Sequence, residues 1–166
     1  MRAYSSFWKK GFIVEDSGNI LLEAFSKNWF SGSVSAEIGS NYIEFSPKGI
    51  FSSSYHIYRN GEQAGLAEFK WKGPIHFHFL DQWGLERYFI LKPHGFFNPH
   101  YEITDEKENL IFDIKSFWDW KSFSQGYDIA ILRQNFHEDT LLELIFLSVC
   151  AIKVVNQRKS SASAAS

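Results

Sequence analysis

The sequence has few of the residues that cross-link a chain or interrupt its strands. Cysteine occurs once, at Cys150, so no intramolecular disulfide can form, and proline occurs four times in 166 residues. A chain without disulfides is typical of a reducing compartment. The N-terminal residues also lack the positive start, continuous apolar run and small-residue cleavage site of a secretory signal. We therefore expect a cytoplasmic protein with one compact domain, because this length suits a single core.

Concentrated charge and catalytic signatures are also missing. The formal net charge is −2 and no segment forms a basic arm, so a nucleic-acid partner is not expected. The sequence contains no G-x-S-x-G, phosphate-binding loop, G-x-G-x-x-G or H-E-x-x-H motif. We therefore expect no enzymatic activity and no cofactor.

The longest apolar run, Leu141 to Val155, is interrupted only by Glu143, Ser148 and Lys153. It is apolar around most of its circumference, which indicates an enclosed helix and not an amphipathic surface helix. Its 15 residues would span roughly 22 Å as a helix, less than the ~30 Å hydrocarbon core of a bilayer. We predict no transmembrane span, which is the alternative interpretation of such a run.

Local signals give bounds for this helix at about residues 140–157. Thr140 and Glu143 match a capping box, in which a hydroxyl and a carboxylate three residues later bind first-turn amides. Arg158 and Lys159 suit the negative end of the helix dipole. Residues 159–166 have almost nothing to bury, so we predict a disordered tail there.

The rest of the chain has the patterns of short strands. Aromatic residues make up 18% of the sequence, which favours pleated, half-buried surfaces. Apolar residues alternate with polar ones in Ala67 to Lys72 and in Ile75 to Phe79, with Gly73-Pro74 between them and Asn60-Gly61 before them as hairpin turns. The other candidate strands are Phe12–Glu15, Ile20–Phe25, Ser33–Ile38, Tyr42–Phe45, Tyr55–Tyr58, Arg87–Leu91, Tyr101–Thr104, Leu110–Ile114 and Tyr127–Leu132.

About eleven antiparallel strands and one enclosed helix suggest a single architecture. A sheet of this size tends to curl, and a barrel of that many strands has an interior too wide for its own side chains to fill. The helix would fill this interior. The sequence therefore predicts a mainly β fold in which a closed antiparallel barrel surrounds a central C-terminal helix.

The order of short strands, the turn at Asp16 to Asn19, the segment Asp105 to Ile114 and the closing apolar helix resemble the tubby-like C-terminal domain superfamily. This superfamily includes the LURP-one-related proteins and the phospholipid scramblases, and the resemblance covers most of residues 7–158. It implies a single domain at residues 1–158, with about twelve strands around the helix. It also implies functions that range from phosphoinositide binding to other lipid-linked roles. Neither a phosphoinositide-binding motif nor the scramblase calcium-binding element aligns here, so no residue role is carried over.

Three groups of residues are candidate sites. Arg59, Lys70 and Lys72 lie on neighbouring predicted strands and would share an outer face, where they would bind a phosphate or a phospholipid headgroup. The alternative is an ordinary solvated face of an antiparallel sheet.

His76 and His78 point to the same side of one predicted strand and form half of a metal site by spacing. The sequence supplies no obvious further ligand, so solvent-facing histidines, or a patch whose charge changes near neutral pH, are the alternatives. We expect no metal.

The third group is the aromatic stretch that contains Trp118, Trp120 and Phe123. If exposed, it would contact a protein partner or a membrane interface, because tryptophan suits boundaries between apolar and aqueous surroundings. If buried, it would close one mouth of the barrel.

Two functions are consistent with these observations. The first is a non-enzymatic binding module for anionic phospholipid or phosphorylated ligands, peripheral at a membrane and using the outer basic face. The alternative is a soluble protein-interaction or scaffold barrel with no small-molecule ligand. A carrier of the lipocalin type is disfavoured, because the helix would occupy the ligand's space.

Overall fold

The computed structural model describes residues 1–6, 11–26, 32–49, 53–70, 73–95, 100–119, 124–133 and 136–164. They form twelve β-strands and one α-helix in chain order. The strands are β1 Arg2–Ser6, β2 Gly11–Asp16, β3 Asn19–Ser26, β4 Val34–Ile38, β5 Asn41–Pro47, β6 Ser54–Arg59, β7 Glu62–Phe69, β8 Ile75–Leu80, β9 Glu86–His94, β10 His100–Asp105, β11 Leu110–Asp119 and β12 Ser124–Ile131. Helix α1 is Glu138–Ala164.

The twelve strands form one closed antiparallel barrel. Each strand pairs with the strand that follows it in the chain, and β1 pairs with β12 to close the ring. The predicted fold class is confirmed. A closed barrel leaves no sheet edge at its circumference, apart from local gaps in pairing.

Alternation and turn chemistry explain why these segments become strands. In β8, Ile75, Phe77 and Phe79 are buried. The hairpin between β6 and β7 turns at Asn60 and Gly61, whose φ angles are +52° and +87°. A two-residue turn with positive φ at both positions matches the natural twist of a hairpin.

The largest differences between the observed and the predicted strands are at three places. β1 was not predicted, because Arg2–Ser6 has no alternating apolar pattern of its own. β7 begins at Glu62 and ends at Phe69, so Lys70 follows the strand and Lys72 lies outside the described residues. β11 continues to Asp119, well beyond the predicted end.

Helix α1 runs through the barrel, as the apolar run predicted. Leu144, Ile145, Phe146 and Val149 are at most 1% exposed. The ring of Phe146 stacks against that of Phe12 on β2, with the centroids 6.0 Å apart. Within the described part of the chain, no helix is both long and apolar enough to cross a membrane.

The helix extends beyond the predicted bounds, by two residues at its start and by seven at its end. The helix begins at Glu138, where the carbonyl of His137 accepts the amide of Leu141. The Thr140 hydroxyl has no hydrogen-bond partner among the described residues, and the Glu143 carboxylate binds Arg59, so neither forms the predicted capping box.

At its other end the helix continues through Ala164. The predicted disordered tail of residues 159–166 is therefore helical up to Ala164. Serine hydroxyls at Ser160 and Ser161 donate to the carbonyl of Gln157 and satisfy it within this last segment.

The direction of α1 distinguishes the two ends of the barrel. At the helix-entry end β12 finishes at Ile131 and α1 begins, close to the β4–β5 turn. At the helix-exit end Asn156 donates to Gln125 at the start of β12. Arg158 lies over the Phe69 ring at the end of β7.

Candidate functional site

Acidic side chains gather at the helix-entry end. Exposed carboxylates in its turns and strand ends belong to Asp16, Glu37, Glu62, Glu86, Glu106, Glu108 and Glu138. Some of them have cationic partners, such as Lys92, whose Nζ lies 2.9 Å from Glu108 Oε1. A mouth with this excess of negative charge repels anionic ligands.

Basic side chains gather at the helix-exit end. Lys48 follows β5 and Lys70 follows β7, and both are exposed. Arg158 and Lys159 lie where α1 leaves the barrel, and both are also exposed. The guanidinium of Arg158 lies 5.0 Å from the centroid of the Phe69 ring, a cation–π contact that fixes it beside the end of β7.

Lys153 adds a cation just inside the same mouth. Its Nζ is 3.4 Å from the hydroxyl of Ser5 and 5.5 Å from the centroid of the Phe12 ring. Burial lowers the pKa of this ammonium, and neighbouring Cys150 acts in the opposite direction. The helix therefore brings three cationic side chains, Lys153, Arg158 and Lys159, to the helix-exit end.

Arg59 does not belong to this basic group, which corrects the predicted outer face. Its side chain is 11% exposed, and its Nη2 donates to both carboxylate oxygens of Glu143 at 2.6 and 2.7 Å. Its Nη1 donates to the carbonyl of Leu80. Arg59 shares the inward parity of Tyr55 and Ile57 on β6, a sequence signal that would have placed it inside.

Lys70 lies on the outside, as predicted. Burial lowers the pKa of His76. The positive charge of nearby Lys70 lowers this pKa further, whereas the negative charge of Glu68 raises it. Lys72, the third member of the predicted group, lies outside the described residues. Of the three cations predicted to share an outer face, Lys70 is therefore the one that the described residues show to be exposed.

His76 and His78 flank Tyr88 on the outer wall. Nδ1 of His76 and the hydroxyl of Tyr88 form a short hydrogen bond, and the ring of His78 meets the edge of the same tyrosine. His78 Nε2 lies 4.0 Å from a carboxylate oxygen of Glu86. Among the residues that the structure describes, no group of three or more His, Cys, Asp or Glu side chains could hold a metal ion.

A second histidine pair lies at the helix-exit end, between β9 and β10. The rings of His94 and His100 stack with centroids 5.0 Å apart and planes 17° apart. Nε2 of His94 lies 3.0 Å from a carboxylate oxygen of Glu102, although their orientation makes no hydrogen bond. The pair is a local electrostatic contact and adds no metal ligand set.

Trp118 lies on β11, close to the helix-exit end, and is 51% exposed. Trp120 and Phe123, the other members of the predicted interaction surface, lie outside the described residues. The described part of this surface is thus one half-exposed tryptophan, which is compatible with a contact to a partner or a membrane interface.

The sequence between the strand ends at the helix-exit end is rich in tryptophan, phenylalanine and lysine. The chain between β1 and β2 reads FWKK, that between β3 and β4 includes KNWFS, and that between β11 and β12 reads WKSF. The placement of these side chains lies outside the described residues. By composition alone, these stretches are aromatic and basic.

The helix-exit cluster of Lys48, Lys70, Arg158 and Lys159 was not found by sequence reasoning. Its members are up to 111 positions apart in the chain. A usable signal was present: alternate turns of an up-and-down barrel lie at the same end, and these turns differ systematically in charge. These turns can be assigned to one end of the barrel only when the number of strands and the closure of the barrel are known.

Comparisons with known proteins identify no relative of this chain. No protein-family model matches it, no curated protein matches it, and no solved structure matches it.

Proposed function

We propose that this protein is a non-enzymatic module that binds anionic phospholipid surfaces through its helix-exit end. The observation that carries the proposal is the charge separation along the barrel axis. Exposed Lys48, Lys70, Arg158 and Lys159 lie at one end, and exposed carboxylates lie at the other. Such a molecule has a preferred orientation in the field of an anionic surface.

The energetics favour this end over the predicted lateral face. Each Lys or Arg held near an anionic membrane contributes about 1 kcal/mol. Arg59 cannot contribute, because its guanidinium is bound to Glu143 inside the mouth. Half-exposed Trp118 adds an aromatic side chain of the type that favours the membrane interface.

This proposal includes a cytoplasmic location and a peripheral association. The cytoplasmic leaflet carries the anionic lipids that would attract the helix-exit end. We also propose that the domain is tubby-like. The closed ring of twelve strands and the helix that passes through it support that assignment.

Vesicle co-sedimentation tests the proposal. We expect the protein to bind phosphatidylcholine vesicles only when phosphatidylserine is included, and to be released as salt is raised. Lys48→Glu and Lys70→Glu, each made singly, should each weaken binding by roughly fivefold or more. Lys107→Glu at the helix-entry end is the matched charge reversal and should leave binding unchanged.

Two results would contradict the proposal. Binding that does not depend on phosphatidylserine would remove its electrostatic basis. An equal loss of binding in Lys107→Glu would show a response to net charge and not to the helix-exit end. Thermal unfolding of each variant checks that the barrel is intact.

The alternative function, a protein-interaction barrel without a small ligand, is favoured by a separate observation. The β3–β4 seam, which is the junction between these two strands on the outer wall, is paired over only three residues of each strand within the described chain.

A further inference from the structure

The barrel wall has a gap in its pairing between β3 and β4. β4 pairs with the last three residues of β3, from Ala24 opposite Ala36 to Ser26 opposite Val34. Within the described residues, Asn19, Ile20 and Leu22 of β3 pair with β2 alone, and Leu21 lies at a bulge between them. This part of β3 is therefore an open strand edge in the wall of the barrel.

Charge and turn position explain the gap. If the β3–β4 register continued, Glu23 would lie opposite Glu37, and like charges directly opposite destabilise a strand pair. β4 also ends at Ile38, where the chain turns at Gly39 to begin β5. The interior stays closed because Leu22 and Ile38 are buried.

A groove of about 530 Å³ lies over the gap. Its apolar lining includes Ile20 and Phe25, which are 55% and 41% exposed. Tyr42 on β5 lines this groove and also an adjoining one of about 330 Å³ that reaches Glu44. The two grooves share Tyr42, and the second one extends to Tyr58 on β6 and to Gly61 in the β6–β7 turn.

The surroundings of the groove are acidic. The sequences of β2, β3, β4 and β5 contain no lysine and no arginine. They contain carboxylates at Glu23, Glu37 and Glu44, all of which line the two grooves. A ligand that fits this surface carries positive charge.

We propose that this groove binds an extended segment of a partner protein, in which apolar and basic residues alternate, as an added strand on the open edge of β3. Backbone groups of the segment would bond to the open edge, as in other cases of strand addition. Its basic side chains would lie beside Glu23 and Glu37. Its apolar side chains would cover Ile20 and Tyr42.

A second copy of this chain is a poorer occupant. The strands other than β3 and β12 are paired on each of their two sides over at least half of their described lengths, so a copy would offer mainly the same seam or the short unpaired ends of β12. That seam carries the same carboxylates, which would repel each other across a symmetric contact.

Fluorescence anisotropy with a labelled hexapeptide of alternating valine and lysine tests the proposal. We expect saturable binding, and no binding of the matched valine–glutamate peptide. A version with proline in the centre should bind much more weakly, because proline removes a backbone donor that strand addition needs.

Charge variants locate the site. Glu23→Gln/Glu37→Gln should weaken binding of the valine–lysine peptide by roughly tenfold. Glu86→Gln/Glu106→Gln removes the same charge at exposed positions away from the groove and should leave binding unchanged. The peptide should also slow amide hydrogen exchange at residues 19–22.

Three outcomes would overturn the proposal. Equal binding of the proline-containing peptide would mean that charge alone attracts the ligand. Equal loss in both double variants would mean that the groove is not the site. Self-association in sedimentation velocity that the valine–lysine peptide displaces would make a second copy the occupant. None of these three outcomes depends on vesicle binding, because the groove variants leave Lys48 and Lys70 unchanged.

Discussion

At the scale of single residues, Arg59 and Glu143 are the ion pair that the barrel holds inside its helix-entry mouth. The side chains are 11% and 5% exposed, and two hydrogen bonds join them. Burial raises the pKa of Glu143, while Arg59 acts to lower it. The pair joins α1 to the end of β6, so it positions the helix in the barrel as well as contributing to stability.

Removing one partner of this pair should cost much more than removing both. We expect Glu143→Ala to lower the free energy of unfolding by about 3–5 kcal/mol, because it leaves the Arg59 charge buried without a partner. The double variant Arg59→Met/Glu143→Leu should be close to the wild type in stability. Urea unfolding of Glu143→Ala, and of Arg59→Met, Glu143→Leu and their combination as a double-mutant cycle, measures this difference. A loss below about 1 kcal/mol in Glu143→Ala would show that the pair behaves as a solvated one.

Asp81 gives the barrel an acid-sensitive contact. Its side chain is fully buried; it accepts backbone amides from Trp83 and Leu85 at 2.9 and 3.0 Å and binds Arg87 at 2.8 Å. Burial alone would raise the pKa of Asp81, but these donors and the Arg87 charge together lower it. A carboxylate with a lowered pKa contributes stability above its ordinary pKa, and that stability is lost as pH falls through the lowered value.

We therefore expect Asp81→Asn to be less stable than the wild type at neutral pH. The difference should shrink as the pH falls below about 4, because the wild-type carboxylate becomes protonated there. Urea unfolding across this pH range measures it. Asp128→Asn is the control: it removes an ion pair to Arg2 in which both side chains are more than half exposed, and should change stability little. A pH-independent difference for Asp81→Asn would contradict the expected titration.

At the scale of elements, α1 shows how tertiary contacts override local capping signals. Thr140 and Glu143 have the spacing of a capping box, but the helix begins two residues before Thr140. The reason is that Glu143 finds a stronger partner in Arg59 than a first-turn amide. At 27 residues, the helix is about 40 Å long, so it passes through the barrel and projects from the helix-exit end.

The strands near α1 are adapted to its closeness. The helix backbone approaches β3, β4 and β5. Ala24 and Ala36 form a buried cross-strand pair there, and their small side chains leave room for the helix. An added Cβ at Gly39 would lie 2.6 Å from a carboxylate oxygen of Asp139, so the β4–β5 turn also packs against the helix start. The strands β3 and β4 therefore separate in the part of the wall that packs against the helix.

At the scale of the whole molecule, the helix and the barrel depend on each other. Twelve strands enclose a space that their own side chains cannot fill. The fully buried residues Leu144, Ile145, Phe146, Leu147 and Ile152 on α1 fill it. Each such side chain contributes roughly 1.5–3 kcal/mol by leaving water.

A chain cut after Arg133 should therefore fail to form the barrel. We expect residues 1–133 to lack the near-ultraviolet circular dichroism of packed aromatic rings and to expose apolar surface. A peptide of residues 136–164 added to this fragment should restore the signal, because the helix is held mainly by packing. A native spectrum for the fragment alone would show that the strands can close without their filling.

Much of this architecture was predictable, because the relevant signals are local. Period-two alternation, as in Ile75, Phe77 and Phe79, assigns strand faces, and short turns such as Asn60-Gly61 impose antiparallel neighbours. The apolar circumference of residues 141–155 indicates enclosure. The strand β1 was missed because Arg2–Ser6 is a strand only through its neighbours β2 and β12.

The candidate sites were predicted less well than the fold. The exposure of Lys70 was within reach of the sequence, but the exposure of Trp118 was left open and Arg59 was assigned to the wrong face. Side chains along a strand alternate between the two faces of the sheet, so an error of one position moves a side chain from the solvent to the interior.

The sequence by itself determined that strands would alternate, turn tightly and surround an apolar helix, since each of these properties depends on residues a few positions apart. Only the tertiary structure decided that Arg59 would reach Glu143, that β3 and β4 would part, and that Lys48, Lys70 and Arg158 would meet at one end. These arrangements depend on barrel closure and on the direction of α1, which bring together residues that no local pattern connects.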